Sequence, residues 1–214
     1  MRTPLSSVGA LRQAACAGLA VATLLAGLAG CASAPPPRFH TLLGASPAPA
    51  GAAPPRVAWE LLPVAIPSQV DQPQFVLRRT DGTLALIENE RWIAPLADEL
   101  HAAVSERLVA ALGTANVLPA IGRKGWRIRV DVQRFDSTLD RSAGIAATWT
   151  LQGNDAAGAA LRCSAVLVQP VGTGFAALAA GHRQALGSIA EGISATLVSL
   201  DAGRSANCPA NAVR

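Results

Sequence analysis

Gln74-Phe75-Val76-Leu77-Arg78-Arg79, then Thr80-Asp81-Gly82, then Thr83-Leu84-Ala85-Leu86-Ile87-Glu88 is the stretch that decides the fold. Two largely apolar runs flank an Asp-Gly pair whose residues both tolerate a positive φ, so the segment predicts two antiparallel strands joined by a tight turn. Downstream the period changes. Leu96, Leu100, Val104, Leu108 and Leu112 recur every four residues, Asp98 and Glu99 fall in the first turn and Arg107 near the end, as the helix dipole favours. Gly113 ends this helix. A hairpin that feeds an amphipathic helix points to a sheet covered by helices.

Working outward, Arg38-Phe39-His40-Thr41-Leu42-Leu43 reads as a first strand and the strongly apolar Val57 to Val64 as a second, central one, with an Ala- and Pro-rich insertion from Gly44 to Pro55 between them. Pro63, Pro67 and Pro73 punctuate the loop before the hairpin. On the other side, Asn116 to Pro119 reads as a short strand. Trp126-Arg127-Ile128-Arg129-Val130-Asp131-Val132 alternates, one face apolar and the other charged, as a half-exposed strand does. Ala143 to Gln152 and Ala159 to Val168 form a further hairpin through Gly153-Asn154-Asp155. A second helix from about Phe175 to Leu200 carries Phe175, Leu178, His182, Ile189, Ile193 and Leu197 on one stripe. Gly181, Gly187 and Gly192 weaken it by up to about 1 kcal/mol each relative to alanine, which suggests close contact with the sheet or a partner. The expected class is α+β: a largely antiparallel sheet of about seven strands with two amphipathic helices packed on one face.

The N-terminus has a different character. An apolar run from near Ala14 follows Arg2 and Arg12 and closes on Leu28-Ala29-Gly30-Cys31. A basic start, an apolar segment of secretory length and small residues before a cleavage point make a signal peptide. The cysteine at the cut makes the pattern resemble the bacterial lipobox, in which that thiol receives a diacylglyceryl group. Acyl chains on Cys31 and on the new amino terminus would anchor the chain, each buried methylene contributing about 0.8 kcal/mol. The competing reading, a cysteine beside a membrane-spanning helix, fits poorly with Ala32, Ser33 and a proline run where a charged stop-transfer flank would stand. Ala32 and Ser33, in place of the aspartate that retains lipoproteins at the inner membrane, favour the outer membrane. The expected division is a signal peptide over 1–30, a lipidated tether over 31–37 and a single domain over 38–214.

Without residues 1–30, which hold two of the 18 basic residues and no acid, 16 basic side chains face 14 acidic ones. So weak an excess gives no nucleic-acid signal. Cys16 leaves with the signal and Cys31 is acylated, so Cys163 and Cys208 remain as an even pair in an oxidising compartment, where a disulfide is expected. Two unpaired thiols, or Cys163 as a nucleophile with His40, His101 or His182, are the alternatives.

The motifs of catalysis are missing. There is no Gly-rich phosphate loop ending in Lys-Ser or Lys-Thr, no Gly-x-Ser-x-Gly, no His-Glu-x-x-His and no paired-cysteine metal spacing. The chain is expected to be no enzyme and to need no cofactor or metal. His182 lies on an apolar stripe and reads as a packed histidine. Asp136 and Asp140 flank a turn, where aspartate bonds to backbone. Arg123-Lys124 beside Trp126 reads as a solvated loop, or at most as a contact to anionic headgroups.

Pro67-Ser68-Gln69-Val70-Asp71-Gln72-Pro73-Gln74-Phe75-Val76-Leu77-Arg78, followed by Asn89-Glu90-Arg91-Trp92 leading into Leu96 and its helix, resembles the PqiC-type lipoproteins, also described as ABC-type transport auxiliary lipoproteins. Pro36-Pro37-Arg38-Phe39-His40-Thr41-Leu42 is similar to that family's Arg-Tyr-Tyr-Thr-Leu start, with Phe39 and His40 in place of the paired aromatics and Gln72 where the family has an arginine before the loop proline. The resemblance implies a part in moving lipid between the inner and outer membranes. A lipid anchor in the outer membrane would hold the domain on the periplasmic face, where it docks an MCE-domain periplasmic protein, with a homo-oligomeric ring as one arrangement. Arg91 and Trp92 are the candidate partner-binding residues, since Arg and Trp are common interface anchors. Alternatively, Trp92 is a core staple ahead of the helix and Arg91 caps a carboxylate. Two rival roles are an outer-membrane assembly lipoprotein that plugs or chaperones a β-barrel, and a periplasmic lipid-binding carrier.

Overall fold

Hairpin ladders and parallel pairings between distant strands together make one seven-stranded sheet in this computed structural model, which describes residues 35–44, 57–113, 124–154 and 160–209. In chain order the elements are β1 (Arg38–His40), β2 (Trp59–Leu61), a 3-10 turn (Ser68–Val70), β3 (Gln74–Arg78), β4 (Leu84–Trp92), α1 (Leu96–Leu112), β5 (Trp126–Thr138), β6 (Ser142–Gly153), β7 (Ala160–Pro170) and α2 (Phe175–Asp201). The strand order is β1-β4-β3-β5-β6-β7, and β2 lies against β5. Cys31, the signal segment, most of the Gly44 to Pro55 insertion and the strand expected at Asn116 to Pro119 lie outside the described residues.

The Asp-Gly hairpin forms as its sequence predicts. Gly82 takes φ 86°, and the Asp81 carboxylate accepts hydrogen bonds from the Thr83 amide (2.9 Å) and hydroxyl (2.7 Å). Those bonds hold the Asp81 carboxyl below its ordinary value. The β6–β7 pair is antiparallel, as is β5–β6, which closes through Leu139 to Arg141 with Asp140 at φ 58°. Asn and Asp are the non-glycine residues that tolerate this region best.

The sheet is mixed, which corrects the expectation of a largely antiparallel one. Beside the three antiparallel ladders, β1 runs parallel to β4, β2 parallel to β5 and β3 parallel to β5. Turn residues dictate only the pairing of neighbouring strands. β1 and β2 pair with strands far along the chain, and β3 meets β5 after a crossover through β4 and α1. Nor is β2 central among the described strands: there it pairs with β5 alone, beside the Trp126–Ile128 end, while Leu77 of β3 meets Ser137 at the other end. β2 is apolar because Trp59 and Leu61 both face the core.

The helix α2 covers β5, β6 and β7 on one face of the sheet, and α1 packs on α2. Along β5 the helix-facing side chains Trp126, Ile128, Val130 and Val132 are buried, while Arg127 and Arg129 point to the open face. A register shift between Val132 and Arg134 then restores the inward side to Phe135 and Ser137. On α2, a Cβ at Gly181 would overlap Val171 and press on Ala143 of β6, and one at Gly192 would sit 2.8 Å from Pro209. Those glycines let the helix lie against the sheet and the C-terminal segment.

Candidate functional site

The chain enters the fold through β1, and three charged residues from three elements fix that entry. β4 supplies the first because its ladder with β3 jumps: Phe75 pairs with Ile87 and Gln74 with Arg91, so Glu88, Asn89 and Glu90 bulge out between. The bulge turns Glu90 inward, where its side chain is 2 % exposed. Its carboxylate accepts from Arg38 (Nε, 2.7 Å, and Nη2) and meets His40 Nε2 at 2.7 Å. Burial by itself would raise this carboxyl. The hydrogen bonds from His40 and Arg38, with the Arg38 charge, outweigh burial and hold it below its ordinary value of 4.5.

α1 supplies the second. Glu99, buried in its first turn, accepts from the Thr41 hydroxyl at 2.8 Å and from the Leu42 amide at 2.6 Å. α2 supplies the third: Arg183 Nη1 donates to the Thr41 carbonyl at 3.0 Å. None of the three was singled out from the sequence for this role. For Glu99 a signal existed: it lies three residues after Leu96 and four before Ala103, on the buried stripe itself.

Behind the clasp runs an aromatic chain. The His40 ring meets Phe75 edge-on at 5.1 Å, Phe75 stacks on Trp92 at 4.1 Å, Trp92 meets Phe135 edge-on at 6.0 Å, and Phe135 stacks on His182 at 3.9 Å. Trp92 is thus 4 % exposed and a core staple, so of the two candidate partner residues only Arg91 is offered to the outside. Arg91 lies on the open face beside Phe39 in register, and its Nε donates to the Glu88 carbonyl at 3.0 Å. Phe39, Leu84, Leu86, Ile93, Val166 and Val168 are exposed apolar side chains of β1, β4 and its end, and β7.

The remaining sequence candidates find structural roles. Cys163 of β7 is disulfide-bonded to Cys208, with 5.5 Å between their Cα atoms. Asp140 accepts from the Gly174 amide at 2.7 Å ahead of α2, while Asp136 pairs with Arg78 and Arg134 on the open face. Trp126 is buried and donates to Asp201 at 3.1 Å, and Lys124 reaches the Asp201 carbonyl at 2.6 Å, so this basic and aromatic pair ties down the end of α2. His101 lies 3.3 Å from the Leu61 carbonyl. Ser137 Oγ and His182 Nε2 are 2.8 Å apart, which looks like a nucleophile and base. Both are buried, and among the described residues His182 Nδ1 has no hydrogen-bond partner to orient the ring. Among the described residues no group of three or more His, Cys, Asp or Glu converges as a metal site, and no helix is long and apolar enough to cross a membrane.

The site therefore offers surfaces and a fixed chain entry. The family whose description is ABC-type transport auxiliary lipoprotein component matches residues 40–194. No curated protein matches the chain. A DUF330-family protein from Xanthomonas campestris shares 22% identity at a TM-score of 0.58, over 78% of this chain and 98% of its own. A second crystallised protein, uncharacterised, shares 16% identity at a TM-score of 0.62, over 75% of this chain and 98% of its own. These two likenesses show a shared fold.

Proposed function

The chain belongs to the family of ABC-type transport auxiliary lipoprotein components, and from that premise we propose that it is the outer-membrane subunit of an MCE-type intermembrane lipid transport system. In this reading Cys31 carries the lipid anchor, the Ala32-Ser33 that follows directs it to the outer membrane, and the domain works on the periplasmic face. It acts by binding and not by catalysis. The open face of the sheet around Leu84, Leu86 and Arg91 receives the MCE-domain protein, and copies of the chain can assemble around that partner. The observation that carries the reading is the family match together with a first strand clasped by Glu90, Glu99 and Arg183, as suits a domain held by its N-terminus.

The test is crosslinking of the full-length lipoprotein in outer membranes, followed by mass spectrometry of what is recovered with it. An MCE-domain protein is the expected partner. Leu86→Asp and Arg91→Glu should each abolish its recovery while leaving the melting temperature unchanged, because both side chains point away from the core. Recovery of a β-barrel instead would support the assembly role, and bound phospholipid without a protein partner would support the carrier.

A further inference from the structure

The two most exposed apolar side chains near the start of the fold are neighbours. Phe39 is 55 % exposed and Ile93 60 % exposed, and the Ile93 amide donates to the carbonyl of His40 at 2.9 Å. Strand alternation puts both on the side away from the core: His40 and Trp92 point inward, so Phe39, Arg91 and Ile93 point outward. The charges around them are matched in pairs, Arg38 with Glu90 and Arg91 with Glu88. Phe39 also stands a short way from the predicted anchor. The tether Ala32 to Pro37 has six residues and spans about 20 Å at most in a proline-rich conformation. β1 follows without a break.

We propose that Phe39 and Ile93 insert into the interface of the bilayer that holds the anchor, so that the β1 edge rests on the membrane. The inference relies on the lipid-anchor reading of Cys31. An aromatic and a branched aliphatic side chain at the level of the headgroups bury apolar surface, and the Ile93 amide keeps its bond to the His40 carbonyl. Two such side chains bind a membrane weakly when free in solution. A short tether raises their effective concentration at the surface, so the contact forms in the anchored protein. Because the nearby charges are paired, apolar burial and not attraction to anionic lipid drives the contact. The membrane edge and the partner-binding face then meet at Arg91, which brings a docked partner down onto the bilayer.

The experiment uses the full-length lipoprotein, purified from membranes and reconstituted in phosphatidylcholine vesicles whose acyl chains are brominated near the headgroup. The four native tryptophans are buried, so the emission added by Phe39→Trp reports on that position. A blue-shifted emission with about a twofold loss to the brominated lipid is expected, and the same for Ile93→Trp, with no such loss for Leu84→Trp. Equal quenching in all three, no quenching in the first two, or quenching confined to vesicles with phosphatidylglycerol would each overturn the contact. The mass of the N-terminal peptide separates the two claims. Acyl chains present without quenching defeat the membrane contact alone, whereas an unmodified Cys31 defeats the anchor and the contact with it.

Discussion

His182 is fully buried between Phe135 and Ser137, and burial pushes its imidazole from the ordinary 6.5 down to about 3. The unfolded chain takes up this proton near pH 6.5 while the native state resists until about pH 3, so between those values the unfolded state holds one more proton. Stability must therefore fall as the pH is lowered from neutrality, by up to about 1.4 kcal/mol per pH unit from this residue. Glu90, held below its ordinary value, contributes in the same direction but only at lower pH, through its native titration below 4.5. Urea unfolding at pH 7 and pH 5 checks the point. His182→Gln should be less stable at pH 7, because the ring loses its stacking on Phe135, and its stability should depend less steeply on pH over that interval. An unchanged slope would mean that the native state admits the proton.

Among the elements, α2 offers a contrast within one helix. Gly181→Ala presses a methyl group into Val171 and Ala143 and should cost about 1–3 kcal/mol as an overpacked contact. Gly187→Ala meets nothing nearer than the Arg107 guanidinium carbon at 3.8 Å, so it should stabilise by up to about 1 kcal/mol through helix propensity. Denaturant midpoints of the two variants should move in opposite directions. The three glycines are alike in sequence, and only their neighbours in space separate them. The same limit governed the strands. The Asp81-Gly82 hairpin was legible because its cause is local, and both helices were legible from their stripes. The parallel pairings of β1, β2 and β3 were not, because no residue near them records a partner tens of positions away. The alternation marks β5 only as far as Val132, whereas the strand continues to Thr138, since the shift at Val132 and Arg134 breaks the alternation by which a strand is recognised. Trp92 and Arg91 stand side by side in sequence, yet β4 sends one inward and the other outward.

At the scale of the whole molecule the chain is fastened near both ends of its sheet. The Cys163–Cys208 bond joins the edge strand β7 to the C-terminal segment across a separation of 45 residues, which in the chain-entropy model stabilises by about 3–4 kcal/mol. Cys208→Ser should lower the unfolding free energy by that order, and adding a reductant to the parent should reproduce the loss while leaving the variant unaffected. At the opposite edge the fastening is one ion pair and a set of hydrogen bonds made by charged side chains. The sequence supplied Glu90, Glu99 and Arg183 without hinting that they converge on residues 38–42, because each is separated from that stretch by about 50 residues or more. Their convergence has a mechanical meaning under the proposed N-terminal anchor. With the anchor proposed at Cys31, a pull on the chain ahead of Arg38 would load the β1–β4 ladder and the three charged contacts together. Under such a load the first strand would be held by shear against β4, and the strain would pass into the sheet to which β4 belongs.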